Sequence, residues 1–434
     1  MPSIKAIDLA NTSGGYYAPA VSAAPGSQII HFSGQPGILR NGHLPSNYKS
    51  QIHLAILNLR KIIITSRASI QDIVKLTFDA ATAQDATRIR DMVEADCQAL
   101  DKACPQNSEF DAQTFEAYLR SRRASETAIA TATVWTRAML GQDPKDISAL
   151  FPLSYCRSGG GLLQMRSDAK GGGQHLRVRQ GMQIMANGLA GALNKDTVRL
   201  SSPVLSVEQH LVVDAIDVTT ESEVIRASKV ITTVPSPVLK TIDFTLKLPV
   251  SKVAWAESST YGYYTKAMMV FRSPFWVKKG YCGLIRSFTG PAGVIRDSSS
   301  LPDKKYIMTC FMGSDPGREW SLLTTKDREQ VLIKQIGKLF DSPKEAESEF
   351  MEMVTYEWTK DEFSGWGCPC PALTPGVLDT IGDDSLRKPC GGLHFAGKET
   401  EVEWKGYMEG TVESGERAAD EVIQALKSGI NSRL

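Results

Sequence analysis

The polar and apolar positions divide the chain into stretches of different period. Gln28-Ile29-Ile30-His31-Phe32 is a short apolar run closed by Ser33-Gly34, the mark of a strand. Tyr48, Ile52, Ala55, Ile56, Leu59 and Ile63 recur at steps of three and four, which predicts a helix with one face on a sheet. Val74, Leu76, Phe78 and Ala80 alternate with Lys75, Thr77 and Asp79, which predicts a half-buried strand. The period then changes. Residues 85 to 140 read as helical throughout, with Ser125 as N-cap of the helix that runs through Trp135 and Met139. Ile147 to Tyr155 continues in that character, and Gly159-Gly160-Gly161 and Gly171-Gly172-Gly173 follow it. Val204 to Val207, Val212 to Val218, Val224 to Ile225 and Val230 to Val234 predict strands, and a mixed region reaches Trp358. Met408, Val412, Gly415, Ala419, Val422 and Leu426 step by three and four, which predicts a closing amphipathic helix.

The 434 residues allow two or three domains and a sizeable core. Lys and Arg number 49 against 48 Asp and Glu. This balance gives no electrostatic case for a nucleic-acid partner. Eight cysteines in so long a chain read as reduced thiols rather than a disulfide framework. No apolar stretch approaches the roughly 20 residues of a membrane span. The start, Met1-Pro2-Ser3-Ile4-Lys5, lacks the apolar run of a secretory signal. The end, Ser432-Arg433-Leu434, is a close variant of the Ser-Lys-Leu address, which predicts a peroxisomal protein and an import receptor as partner.

Several motifs are excluded. Gly392 to Lys398 fits G-x-x-x-x-G-K, but Glu399 follows and Leu393-His394-Phe395-Ala396 reads as a buried strand. Cys368-Pro369-Cys370 has no second pair for a zinc site. No G-x-G-x-x-G fingerprint occurs anywhere.

Chemistry concentrates near the C-terminus. Phe395-Ala396-Gly397-Lys398-Glu399-Thr400 reads as a strand leaving into a loop. Trp404-Lys405-Gly406-Tyr407-Met408-Glu409-Gly410 then enters the last helix. A helix N-terminus is a ready site for an anion or a cofactor carbonyl. Gly406 and Gly410 let backbone approach a flat ligand.

These residues resemble the C-terminal signature of the flavin-containing monoamine oxidases. Further motifs fall in the same order: Ser148-Ala149-Leu150, Gly172-Gly173-Gln174, Val230 to Pro235, Lys266 with Pro274-Phe275-Trp276, and Trp358 with Phe363-Ser364-Gly365. The resemblance runs from about residue 88 to 427 and implies a two-lobed FAD enzyme that oxidises a small-molecule amine to an imine, with O2 reduced to hydrogen peroxide. It implies that Lys266 holds the water beside flavin N5 and that Tyr407 is one wall of an aromatic cage. Met408 would offer its N–H to the flavin carbonyl end, Trp358 would pack on the flavin edge, and Val204 would meet the adenine end. Gly397, Lys398 and Glu399 would lie in the flavin-contacting loop, Gly406 beside them, and Gln174 in the substrate pocket. Lys398 stands where the family has Thr. Ser364-Gly365-Trp366-Gly367-Cys368-Pro369 is one residue longer than the family's loop, so Trp366 is the only nearby candidate for the second wall. The flavin is either bonded to Cys368 or held without a covalent bond.

The family's N-terminal βαβ unit should precede the Asp91-Met92-Val93-Glu94 helix, and it is absent. The first 85 residues instead resemble the RidA-type imine and enamine deaminases, through Gly15-Tyr16-Tyr17, Ser33-Gly34-Gln35-Pro36, the helix from Tyr48, and Ile73-Val74-Lys75. The later strand with that family's substrate-carboxylate Arg has no counterpart. The expected fold class is therefore a RidA-like α+β segment followed by a two-lobed α/β flavin amine oxidase fold with an incomplete Rossmann-like FAD domain. Its parts are the RidA-like segment 1–85, an oxidase region 86–427 and a flexible tail 428–434. Residues 86–180 and 240–357 would build mainly the substrate lobe, and 181–239 and 358–427 mainly the FAD lobe. Both halves stop short near residues 82–90, which predicts a missing internal block. Two other readings stay open, a fragment or pseudoenzyme without FAD and a RidA-type deaminase. RidA proteins form trimers and amine oxidases often dimerise, so a homo-oligomer fits either resemblance.

Overall fold

The computed structural model describes residues 5–7, 20–22, 30–32, 81–168 and 170–431. The chain divides into two compact units, Met1–Arg88 and Ile89–Leu434. In the first, β1 (Lys5–Ile7), β2 (Ala20–Ser22) and β3 (Ile30–Phe32) form an antiparallel sheet. The helix expected from Tyr48 and the strand expected over Val74–Ala80 lie outside the described residues.

The helical stretch after Asp85 is cut into four by its own capping residues. The helix Ala81–Ala99 ends first. The Asn107 side chain then accepts from the Phe110 N–H, the Thr114 hydroxyl from Ala117 and the Ser125 hydroxyl from Ala128. Each cap satisfies an N–H that a helix start leaves free, so each starts a new helix. Gly141, at φ +73°, ends the helix Glu126–Leu140.

Three sheets follow. β4 (Val204–His210), β5 (Ala215–Thr220) and β6 (Val224–Ala227) form an antiparallel meander, with β8 (Asp243–Phe244) parallel to β4. The predicted strand over Val212–Val218 begins only at Ala215. Val212 is 99% exposed and the Val213 N–H returns to the His210 carbonyl, so the two valines form the hairpin turn. β7 (Val230–Thr232) pairs in parallel with β14 (Leu393–Phe395), whose three residues are all buried. Burial of this strand confirms that Gly392–Lys398 is no phosphate loop.

The largest sheet is antiparallel, in the order β10 (Leu284–Arg286), β11 (Val294–Asp297), β12 (Tyr306–Gly313), β9 (Tyr264–Phe271) and β13 (Phe350–Glu357). Alternate side chains on a strand point to opposite faces. Ala267, Met269, Phe271, Ile295, Met308, Cys310 and Met312 form one face, buried with Leu332 and Ile336 of the helix Thr325–Leu339. Lys266, Met268 and Val270 alternate with them and are only half-buried. This second face carries the polar chemistry.

The last helix, Met408–Asn431, forms as predicted, but its packed face differs. Ser414 and Ala418 are fully buried, whereas Met408 is 48% and Val412 53% exposed. The helix has two apolar stripes, and periodicity cannot tell which one finds a partner. No described helix is long and apolar enough to cross a membrane.

Candidate active site

The register of the large sheet sets the site. Arg286 pairs with Val294, Val294 with Phe311, Phe311 with Lys266, and Lys266 with Tyr356. Directly paired residues share a face, so these five side chains form one row across the second face, Lys266, Val294 and Phe311 half-buried and Arg286 and Tyr356 exposed. Lys266 Nζ lies 5.2 Å from the centre of the Phe311 ring. Its carbonyl accepts from the Thr355 hydroxyl at 2.9 Å. Among the described residues Lys266 has no carboxylate within ion-pair distance, which leaves its ammonium for a ligand or water. Trp358 follows β13 and stands edge-on to Tyr356, ring centres 4.7 Å apart.

Tyr407 joins this face from the C-terminal region. The Gln174 amide donates to the Met165 carbonyl at 3.1 Å and to the Tyr407 hydroxyl at 3.4 Å. Arg296, on β11, donates to the Gln174 side-chain oxygen at 3.2 Å and to its carbonyl at 2.9 Å. Gln174 thus ties Tyr407 to the sheet. The Tyr407 ring stands edge-on to Trp404 at 5.3 Å and tilted to the fully buried Tyr155 at 6.2 Å. Burial pushes its phenol up to about 12, so it stays neutral at physiological pH.

The loop before the last helix is held by its own buried charges. Glu399 accepts from the Ser236 N–H at 3.1 Å, from the Ser236 hydroxyl, and from the Tyr261 hydroxyl at 3.2 Å. Lys398 donates to the Pro369 carbonyl and sits 5.5 Å over the Tyr261 ring. The Gly397 N–H donates to the Ser414 hydroxyl at 2.9 Å. Gly406, at φ +80°, packs so tightly that a Cβ there would lie 2.7 Å from the Tyr155 ring. Gly367 passes Tyr261 with no room for a side chain. Burial pushes the Cys368 thiol up to about 12, against the pull of the Lys398 and Lys266 charges. Cys368 and Cys370 are both free thiols. Trp366 adopts φ +59° and is 43% exposed.

The model of the family described as flavin containing amine oxidoreductase matches residues 41–423. The chain belongs to this family. The match begins inside the segment read as RidA-like, and it makes the oxidase resemblance of residues 88–427 a finding. A flavin-containing amine oxidase of Danio rerio is 31% identical over 328 residues, covering 74% of this chain and 61% of the relative. The human flavin-containing amine oxidase B is 29% identical over 330 residues, with the same two shares. The chain thus spans about three-fifths of these relatives. Among solved structures, cyclohexylamine oxidase from Brevibacterium oxydans superposes with a TM-score of 0.72 at 23% identity, covering 81% of this chain and 77% of that one. Wild-type putrescine oxidase bound to putrescine gives 0.72 at 20% identity, with the same coverage. These likenesses support the α/β amine oxidase fold.

The family implies FAD, and the residues present fit its two ends unequally. The groups that would hold the ring end are present: the Met408–Asn431 helix start, the glycines Gly397 and Gly406, the Tyr407 ring and the Lys266 ammonium. The pyrophosphate end does not fit among the described residues. β7 and β14 form a sheet of only two strands, and no glycine-rich turn follows a strand beside them. The helix Gln183–Ala192 buries no residue, and Leu189 is 70% exposed. Val204 opens β4 and packs with the cluster around Phe395, away from the Lys266 row.

Sequence reasoning missed Phe311, Tyr356, Tyr261 and Ser236. Each acts through a partner more than 40 residues away, and only pairing of strands or loops brings them together. The alternation in Tyr306–Gly313 and Phe350–Glu357 was the one available signal for the first two. Among the described residues no group of three metal-ligating side chains occurs.

Proposed function

We propose that this chain binds FAD and oxidises an amine R–CH2–NH2 to the imine R–CH=NH, with O2 reduced to H2O2. The observation that carries this reading is the Lys266 row, with Tyr407 tied to the same sheet face through Gln174 and Arg296. FAD, held at this face, would supply the redox chemistry, taking a hydride equivalent from the carbon beside nitrogen and returning the electrons to O2.

The chain's own residues bind and orient. The Lys266 ammonium, which faces the Phe311 ring rather than a carboxylate, would hold a water beside the flavin. Tyr407 offers a neutral aromatic wall whose angle is fixed by Gln174 and Trp404. The Met408 N–H, at a helix start, favours the partial negative charge of a ring carbonyl. Trp358, edge-on to Tyr356, would border the flavin, the loop of Gly397, Lys398 and Glu399 would contact it, and Trp366 would serve as second wall. Burial that keeps the Cys368 thiol protonated would make it a poor nucleophile, so the flavin would be held without a covalent bond to it.

That no pyrophosphate cradle occurs among the described residues favours one second reading, a chain of this family that does not retain FAD. Titration of the full chain with FAD separates the two. Saturable binding with peroxide release from an added amine supports the oxidase, and no binding supports the other. Residues 1–85 keep the reading of a truncated RidA-like segment without deaminase catalysis, with the oxidoreductase match already begun at residue 41, and an internal block is missing near residues 82–90. Residues 86–180 and 240–357 build the substrate lobe. The Ser432-Arg433-Leu434 tail, outside the described residues, addresses the protein to peroxisomes, where H2O2 is released. A fluorescent fusion that stays diffuse would remove the last point.

A further inference from the structure

Gln174 holds the hydroxyl end of Tyr407, and the backbone end has a hold of its own. All four N–H groups of residues 404–407 are engaged. Trp404 donates to the Ser158 carbonyl at 3.0 Å and Lys405 to the Ser158 hydroxyl at 3.1 Å. Gly406 donates to the Lys398 carbonyl at 3.0 Å and Tyr407 to the Trp404 carbonyl at 2.9 Å. The one charged side chain of this turn is Lys405, and its ammonium donates to the Asp383 carboxylate. Of the ion pairs between described residues, this pair alone has both side chains less than a tenth exposed, at 7% and 2%.

Asp383 is itself held fast. It opens the 3-10 turn Asp383–Leu386, and its other carboxylate oxygen accepts from Arg387 at 3.2 Å. Lys252, buried on the helix Val250–Ser258, holds the far end of the turn. Its ammonium donates to the Ser385 and Leu386 carbonyls, both at 2.7 Å, and lies 3.7 Å from the centre of the Phe395 ring on β14. A buried ion pair adds little net stability, because desolvation of the two charges offsets their attraction. What it adds is direction, since a hydrogen-bonded ammonium and carboxylate meet in few arrangements. Lys405 lies two residues before Tyr407. Gly406, between them, is packed too tightly against Tyr155 to absorb a shift.

We propose that Asp383, acting through Lys405, sets the placement of the Tyr407 ring and so is a positioning residue for amine oxidation. The role in oxidation rests on the amine oxidase reading, whereas the placement of the ring does not. A displaced wall misaligns the carbon beside nitrogen and costs rate more than affinity.

Two variants test this. Asp383→Asn with Lys405→Met removes both charges together. Lys405→Met alone leaves Asp383 with Arg387 as its counter-charge. The first readout needs neither flavin nor turnover. With 3-fluorotyrosine incorporated into the full chain, Tyr407→Phe identifies the 19F resonance of Tyr407. That resonance should shift or broaden in both variants, while that of Tyr306 on β12 stays in place and reports an intact fold. The second readout is peroxide release from hexylamine by the FAD-saturated chain. Both variants should lower kcat about 10-fold or more, with KM changed by no more than about 2-fold. Lys405→Arg, which keeps the charge, should restore most of the rate. In a Tyr407→Ala background, where the wall is gone, removing the pair should cost little more. An unchanged Tyr407 resonance in both variants would overturn the proposal, as would a rate loss of equal size with and without the Tyr407 ring. A shifted resonance in a chain that oxidises no amine would remove the oxidase reading and leave the placement of Tyr407 by the pair standing.

Discussion

Lys266 and Phe311 face each other across β9 and β12, with Lys266 Nζ 5.2 Å from the ring centre. A lysine that faces a ring rather than a carboxylate keeps its donors for something else. Lys266→Met should therefore lower the rate of flavin reduction or reoxidation by about 100-fold, with little change in the unfolding midpoint. Stopped-flow absorbance measures both half-reactions. Unchanged rates would remove Lys266 from the mechanism.

Gly406 couples the backbone to the Tyr407 wall. Its φ is +80° and a Cβ would lie 2.7 Å from the Tyr155 ring, so alanine is both strained and overpacked. Gly406→Ala should cost about 2–4 kcal/mol of stability. Denaturant unfolding reads this directly, and a wild-type midpoint would show that the loop relaxes freely.

Tyr407 gives a pH dependence of known sign. Its pKa is about 12 in the folded protein, above the ordinary 10.0. Stability from this group is complete below pH 10 and is lost as pH rises toward 12. Tyr407→Phe removes a titrating group. Its unfolding temperature should therefore fall less than the wild type's between pH 9 and pH 11, roughly the span these values set. Equal losses would mean that Tyr407 titrates alike folded and unfolded.

Cysteine reactivity checks the burial of Cys368. Cys104 and Cys282 are exposed, whereas burial raises the Cys368 thiol to about 12. Iodoacetamide at mildly alkaline pH should modify Cys104 and Cys282 first, with Cys368 at least 10-fold slower by mass spectrometry. Fast labelling of Cys368 would reopen covalent attachment.

Local signals were legible because local physics sets them. The Ser125 cap, the strands β4 to β7 and the helix from Met408 all follow from spacing and side-chain type. Lys266, Gln174 and Tyr407 were chosen by resemblance, and the fold connects all three to one sheet face. Strand pairing was not legible. A period of two says that Arg286 and Lys266 each lie on a strand, and nothing in it says that their strands lie in one sheet. The packed face of the last helix was misjudged for a similar reason. Ser414 and Ala418 pack because β14 and its loop lie against them, while the Met408 and Val412 stripe has no described cover. The hairpin at Val212 was hidden by valines, whose strand preference yields to the need to turn.

The visible absorption spectrum of the purified full chain, before and after denaturation, tests the central claim most directly. Flavin bands that leave with the small molecules on denaturation would confirm FAD bound without a bond to Cys368. A colourless protein that takes up no added FAD would contradict the oxidase reading, whatever the fold shares with its relatives.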